Sequence, residues 1–275
     1  MNWKKQVQAF QMYAKEYSNT NPKVKLKIVH TFHVVENAEI IAINSGLSKE
    51  DIQLAKTIAL LHDIGRFEQI RRYNDFRDRY MVDHADIGVE ILKENNLIRK
   101  FVAEDTNDNL IFTAIQYHNK YAIPKGLDAH AELHAKIIRD ADKLDIFRVW
   151  MEEPLTASLP CPLFIDPKEW TTDAYVENII QEDTISDIVL ERFEQHTCLR
   201  HEEKKTVADV WVGCLSMLFD LNQKAALQLM DERNCINRLL DRFMYQRKET
   251  KERVEKIRTI LKEYVHKMIQ NEQNS

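Results

Sequence analysis

The chain has 275 residues and a formal net charge of −5, and 44% of its residues are hydrophobic. The acidic balance excludes the basic surface that is typical of a general nucleic-acid binder. Since no stretch approaches the roughly 20 apolar residues of a membrane span, the sequence predicts no contact with a membrane. The first residues, MNWKKQVQAF, lack the apolar core of a signal peptide. We therefore expect a cytoplasmic protein.

Scarce turn-forming residues favour an all-α fold, because the whole chain contains only 5 glycines and 6 prolines. Apolar residues at helical spacing predict five helices in the first part of the chain. These are residues 24–45, a helix with Ser48 as its N-cap, and residues 84–95, 109–119 and 130–149. The second helix would carry Ile58, Leu61, His62 and Gly65 on one face. The third would begin at Asp83 or His84.

The second part of the chain has a different pattern. Residues 151–172 contain four of the six prolines and predict a long irregular connection or a loop over a site. Residues 232–270 combine dense charge with apolar residues at helical intervals and predict one long amphipathic helix or two. We expect either a packing arm of the fold or an element that forms a homodimer.

These patterns predict a helical domain over residues 1–150. A helical extension over residues 151–275 would pack on this domain, or the two would form one continuous domain.

Several histidines lie on apolar helix faces. His30, His62 and His118 follow the apolar stripes of their predicted helices, and Asp142 shares a face with Ile138 and Ala141. A charged aspartate that points into a core is costly unless it is paired or bound to a cation. Convergence of these groups from different helices would have one explanation, a buried metal site.

The ligand types indicate the kind of metal. Imidazole and carboxylate suit one or two divalent ions of iron, manganese, nickel, cobalt or zinc, and magnesium also fits the oxygen ligands. The four cysteines form no CxxC pair, which argues against a cysteine zinc site. His62 and Asp63 are neighbours, so one could hold a first ion while the other bridges to a second. Such a pair of ions can activate water and stabilise displacement at phosphorus.

Five segments in this order resemble the HD-domain superfamily: HTFHVVENA at 30–38, ALLHDIGRF at 59–67, DHADIGVEIL at 83–92, IQYHNK at 115–120 and IIRDADKLD at 137–145. The ligand order of that family is His, then the doublet His-Asp, then Asp. One subset has two further histidines between the doublet and the last Asp, and this sequence is similar to that subset. The resemblance implies an all-α HD-domain helical bundle.

The resemblance implies a role for each matching residue. The implied ligands are His30, His62, Asp63, His84, His118 and Asp142. Asp140 and Asp145 would orient ligands. His33 stands where the family usually has arginine, so its role is open between ligand, orienting group and surface residue. His130 and His134 have a spacing that could bind metal, but they lie outside the family pattern, and we interpret them as surface groups.

Basic residues near the doublet suggest a phosphate contact. Arg66 matches a basic position of many family members, and Lys143 follows Asp142 directly. We expect both to bind substrate. The other arginines between residues 71 and 79 alternate with acidic residues, including Asp78, which is typical of a solvated face.

The resemblance implies a metal-dependent phosphohydrolase that acts on a small phosphorylated substrate. Since several kinds of nucleotide are substrates within the family, we expect a nucleotide. Asp63 would help to accept the proton of the attacking water. Two alternatives stay open. The same ligands occur in the di-iron oxygenases of the superfamily, and a non-catalytic nucleotide-sensing or scaffold protein could keep a metal site for stability.

Overall fold

The computed structural model describes residues 2–17, 21–74, 78, 83–152, 183–242 and 245–270, except for the side chain of Asn95. Every regular element in these ranges is a helix, which confirms the all-α fold. The chain divides into two compact units, Met1–Asp145 and Ile146–Ser275. The packing of the extension on the first domain stays a prediction.

The helices that begin in the first unit are α1 (Trp3–Lys15), α2 (Pro22–Asn44), α3 (Lys49–Leu61), α4 (Ile64–Tyr73), α5 (His84–Lys93), α6 (Asp108–Tyr117) and α7 (Ala129–Glu152). The predicted helices at 24–45, 84–95, 109–119 and 130–149 are confirmed apart from their ends, which local spacing defines poorly. The sequence prediction missed α1. Its Phe10 is fully buried and meets the rings of Phe32 and Phe67 edge to face, each at 5.8 Å between centroids.

Side-chain caps explain where two of these helices begin. Ser48 Oγ accepts a hydrogen bond from the backbone N–H of Asp51 at 3.0 Å, which confirms Ser48 as the N-cap of α3. Asp83 accepts from the N–H of Ala85 at 2.8 Å and is the N-cap of α5. His84 is therefore the first residue inside the helix.

The chain breaks at the His62–Asp63 doublet. The expectation that Gly65 continues the helix of Leu61 was wrong, because α3 ends at Leu61 and a separate helix begins at Ile64. The backbone of Asp63 leaves the helical conformation, with φ −104° and ψ 16°. The break lets the two side chains of the doublet project at the junction of two helices.

A close approach of α4 and α5 places the next ligand beside this junction. A Cβ on Gly65 would lie 2.1 Å from the carbonyl oxygen of His84 and 2.6 Å from the backbone nitrogen of Gly88. Only glycine fits at this crossing. The first residue of α5 is thereby held next to the beginning of α4.

The second unit continues with α8 (Asp187–Glu194), α9 (Val207–Gly213), α10 (Lys224–Glu232), α11 (Cys235–Leu240) and α12 (Lys248–Gln270). The two-helix alternative for residues 232–270 is confirmed by α11 and α12. The apolar stripe of α12 (Val254, Ile257, Leu261 and Val265) is buried within the single chain, as a packing arm would be. A homodimer through the C-terminal helices stays a prediction.

The predicted irregular connection lies largely outside the described residues. Helix α7 continues through Glu152, and residues 153–182 are not described. None of the described helices combines the length and the apolar character that crossing a membrane requires.

Candidate metal centre

Four imidazoles and two carboxylates of the first unit converge. They come from α2 (His30), the α3–α4 junction (His62 and Asp63), the start of α5 (His84), the end of α6 (His118) and the middle of α7 (Asp142). Five of the six residues are buried, and the side chain of Asp142 retains 16% of its exposure. The structure therefore brings together every ligand that the sequence predicted.

Asp63 lies at the centre of the cluster. Its Oδ2 is 3.5 Å from Nε2 of His30 and 3.5 Å from Nε2 of His62. Its Oδ1 is 3.2 Å from Nε2 of His84 and 3.9 Å from Nε2 of His118. The two carboxylate oxygens thus face two different pairs of histidines, the arrangement expected of a bridging ligand.

Each of the two histidine pairs has a further close contact. In the pair of His30 and His62, Asp142 Oδ1 is 3.1 Å from Nε2 of His30 and 3.8 Å from Nε2 of His62. In the pair of His84 and His118, the two Nε2 atoms are 3.1 Å apart. The ligand atoms of His30, His62 and Asp63 lie within 4.8 Å of one another, and so do those of Asp63, His84 and His118.

The shortest of these distances, 3.1–3.2 Å, match ligands that share an ion, and the others, 3.5–3.9 Å, are somewhat longer. Two atoms that bind one ion at about 2.1 Å lie about 3.0–3.4 Å apart at angles of about 90–110°. Nε2 of His30 and Nε2 of His62 are buried and make no hydrogen bond to any described residue. His30 Nε2 does contact the Asp142 carboxylate, at 3.1 Å. Buried nitrogens without a well-formed hydrogen bond are costly, and a metal ion would satisfy both. The donor set therefore fits one or two divalent metal ions.

Residues 28–146 match the family model of the HD domain. These residues form an HD domain. The matched segment contains all six candidate ligands. The HD domain is typical of a superfamily of metal-dependent hydrolases, and proteins with this domain bind divalent metals. A search of curated proteins and a search of solved structures found no match.

Hydrogen bonds at Nδ1 aim two imidazoles of the HD domain inward. The Nδ1–H of His62 donates to the carbonyl of Ala59 at 2.7 Å, and that of His118 donates to the carbonyl of Ile115 at 2.6 Å. Each carbonyl lies three residues earlier in the chain. These bonds select the tautomer whose Nε2 lone pair points into the cluster.

Carboxylates orient the other two imidazoles. The Nδ1–H of His30 donates to Asp145 Oδ2 at 2.6 Å, as the sequence predicted for Asp145. Asp78 Oδ2 lies 2.8 Å from Nδ1 of His84. Asp78 is exposed, as expected of a solvated face, but its carboxylate also orients a candidate ligand, which the sequence prediction missed. Asp140 is buried in α7, and its orienting role stays a prediction.

Electrostatics favours the metal-binding protonation states of His62, His118 and Asp63. At His30, burial acts to lower the pKa, but the contacts with Asp142 and Asp145 outweigh it and raise the pKa. Burial lowers the pKa of His62 and lowers that of His118 to about 3, so both are neutral at pH 7. Burial acts to raise the pKa of Asp63, but the charge of Lys27 and the hydrogen bond with His84 outweigh it and hold the pKa well below its ordinary value. Neutral imidazoles and an ionised carboxylate are the forms that coordinate metal.

The sequence prediction missed Lys27. Its Nζ donates to Asp63 Oδ2 at 2.5 Å, so an ammonium group lies against the oxygen that faces the first histidine pair. Lys27 precedes His30 by three residues on α2, and residues at this spacing share a helix face. That spacing was the available signal.

The two predicted substrate-binding residues differ in position. Arg66 lies at the cluster, with Nε 3.6 Å from Asp63 Oδ1 and Nη1 3.1 Å from Asp78 Oδ1. Lys143 is buried, and its Nζ donates to the carbonyl of Arg139 at 3.3 Å on its own helix. A contact of Lys143 with substrate stays a prediction.

The position of His33 favours the surface among its three open roles. Its side chain is 39% exposed, and its Nδ1 lies 3.5 Å from Glu36 on the same helix. The exposed arginines Arg71 and Arg72 both donate to Glu68, as expected of a solvated face.

Proposed function

We propose that this chain is a metal-dependent phosphohydrolase that cleaves a phosphoester or phosphoanhydride bond of a small molecule, with nucleotides as the substrate class. The observation that carries the proposal is the position of Asp63, whose two oxygens face separate histidine pairs. Two cationic side chains, Lys27 and Arg66, flank the same carboxylate. These positions support a metal site next to a site for anionic oxygens.

The six converging residues would hold one or two divalent ions of iron, manganese, nickel, cobalt, zinc or magnesium. The separation of the histidines into two pairs supports two ions. When bound, such ions lower the pKa of a coordinated water from 15.7 toward about 7 and polarise a phosphoryl oxygen. Asp63 would serve as the shared ligand. Its low pKa makes it a weak base, so it supports proton transfer less well than it supports coordination.

Lys27 and Arg66 would bind the phosphoryl group. Both lie beside Asp63, and a guanidinium can contact two phosphate oxygens at once. Asp78 and Gln69 accept hydrogen bonds from Arg66 Nη1 at 3.1 and 2.6 Å, which holds the guanidinium at the edge of the cluster. Positive charge here would offset the charge that develops on the phosphoryl oxygens.

The test combines metal content with activity. The full chain, purified without a polyhistidine tag, is analysed by plasma mass spectrometry and assayed for phosphate release from nucleotides and generic phosphoesters. We expect close to two equivalents of metal and measurable hydrolysis. His62→Ala should lose metal and activity while keeping its helical circular dichroism, whereas the exposed His266→Ala should keep both.

Two results would contradict the proposal. A metal-loaded chain that releases no phosphate from any of these substrates would overturn the phosphohydrolase. Bound iron together with oxygen consumption and a mixed-valent di-iron EPR signal would support the oxygenase alternative instead.

A further inference from the structure

A second cluster of possible metal ligands lies apart from the six candidate ligands of the metal centre. It consists of Asp51 in the first turn of α3 and of His130 and His134 at the beginning of α7. Asp51 Oδ1 is 2.6 Å from Nε2 of His130 and 3.4 Å from Nε2 of His134. The interpretation of both histidines as surface groups was wrong for His134, whose side chain is fully buried, while the side chain of His130 is 46% exposed.

Hydrogen bonding accounts for His130 but not for His134. The contact of 2.6 Å between His130 and Asp51 is a short hydrogen bond, whereas 3.4 Å lies beyond the usual range for nitrogen and oxygen. Nδ1 of His134 has no hydrogen-bond partner among the described residues. A buried imidazole with one long contact is unfavourable, which points to a missing partner.

The arrangement matches what a transition-metal ion needs. Two histidines four residues apart on one helix present their imidazoles on the same face, and a carboxylate from another helix completes a group of three. Their ligand atoms lie within 4.8 Å of one another. The partial exposure of His130 and Asp51 leaves room for water on the remaining coordination positions.

The protonation states also suit coordination. A hydrogen bond from Ser48 lowers the pKa of Asp51 to about 2, so the carboxylate is ionised at neutral pH. Burial lowers the pKa of His134 and keeps its imidazole neutral. The site therefore offers one negative charge and a neutral His134 imidazole, while coordination by Nε2 of His130 would replace the hydrogen bond that it donates to Asp51.

We propose that Asp51, His130 and His134 bind a divalent transition-metal ion such as Zn²⁺ at a peripheral site distinct from the six-ligand centre. The ion would tie the first turn of α3 to the first turns of α7. Asp51 precedes His62 by about 16 Å of helix, at about 1.5 Å per residue. The same two helices lead to His62, Asp63 and Asp142, so the peripheral ion would stabilise the scaffold that positions these ligands.

The test counts metal ions in matched variants. The full chain is dialysed to equilibrium against a series of buffered free Zn²⁺ concentrations, and bound zinc is measured by plasma mass spectrometry. We compare the wild type with His130→Ala, Asp51→Asn and the control His266→Ala, all of which change residues with exposed or partly exposed side chains. We expect the wild type and the control to bind one equivalent more than the other two variants. Loss of one ligand should lower the affinity for this additional Zn²⁺ ion at least ~10-fold.

Thermal unfolding is the second readout. Zn²⁺ should raise the melting temperature of the wild type and of His266→Ala more than that of His130→Ala, because an ion bound only by the folded state stabilises it. Equal zinc content and equal shifts in all four proteins would overturn the proposal. Phosphate release is independent of this outcome: a wild type without hydrolytic activity would contradict the proposed function and leave the zinc count interpretable.

Discussion

Each of the two units buries carboxylates, but the partners of these carboxylates differ. In the second unit, Asp209 is fully buried and accepts hydrogen bonds from the backbone N–H groups of Ser186, Lys205 and Thr206 at 2.8–3.1 Å. It also accepts one from the hydroxyl of Ser186 at 2.7 Å. Asp209 thereby fixes the start of α9 and the preceding loop, which is a structural task.

In the first unit, Asp63 is equally buried, and its oxygens face side chains that bind metal or carry charge. Four imidazoles and the ammonium group of Lys27 lie around it. The histidines of the two units also differ, in their burial. His196, His201 and His266 of the second unit are exposed, whereas five histidines of the first unit are buried.

The difference teaches that burial of a charged group does not by itself indicate a functional site. A carboxylate whose oxygens accept backbone N–H bonds has its charge satisfied by the fold. Asp63 is paired with Lys27, but the imidazole nitrogens that face its oxygens leave positions that a metal ion fits. The comparison therefore predicts different consequences when each carboxylate is changed.

The largest effect is expected for Asp63→Asn. The amide keeps the shape of the side chain but loses the charge that the two histidine pairs share. Stabilisation by bound metal amounts to several kcal/mol, so we expect kcat to fall roughly 1,000-fold or more. Steady-state phosphate release and metal content would measure this, with the exposed Asp105→Asn as control. Retention of near-normal kcat would remove Asp63 from the proposed centre.

A smaller effect of a different kind is expected for Asp209→Ala. Loss of a buried charged acceptor leaves several donors without a partner, and we expect the free energy of unfolding to fall by about 3 kcal/mol. Urea denaturation would measure it, with the exposed Asp231→Ala as control. Metal content of the folded protein should not change. A loss of metal would break the distinction between the two carboxylates.

The smallest effect is expected for Asp145→Asn. This carboxylate holds Nδ1 of His30 at 2.6 Å and orients a ligand without being one in the proposed site. Substitution of a residue that orients a metal ligand in this way weakens metal affinity about 10–100-fold, and we expect a loss of this size. Competition with a metal chelator would measure the change, and Asp105→Asn again serves as control. An unchanged affinity would show that the orientation of His30 is held by packing alone.

Much of the candidate centre could be predicted from local patterns. Helical periodicity placed His30, His62, His118 and Asp142 on apolar faces, and the order of the motifs added Asp63 and His84. These inferences need only neighbouring residues, because a helix repeats every 3.6 residues. The N-cap at Ser48 was predictable for the same reason.

The missed residues depend on contacts between distant parts of the chain. Lys27 meets Asp63 from 36 residues away, and His134 meets Asp51 from 83 residues away. Local spacing can place Lys27 on the helix face of His30, but it does not report which distant residue each side chain meets. The break after Leu61 was missed as well, because the apolar spacing continues across the doublet while the packing of α4 on α5 bends the chain.

The sequence by itself determined that the chain is helical and which imidazoles and carboxylates are candidates for binding metal, since periodicity and residue type are local properties. Only the tertiary structure decided how these groups are distributed. It placed the two oxygens of Asp63 toward separate histidine pairs, brought Lys27 and Asp78 to the cluster, and buried His134 beside Asp51. Such distances arise where helices that are far apart in the chain pack against one another. The packing of the whole core, and not the local sequence, determines which side chains meet there.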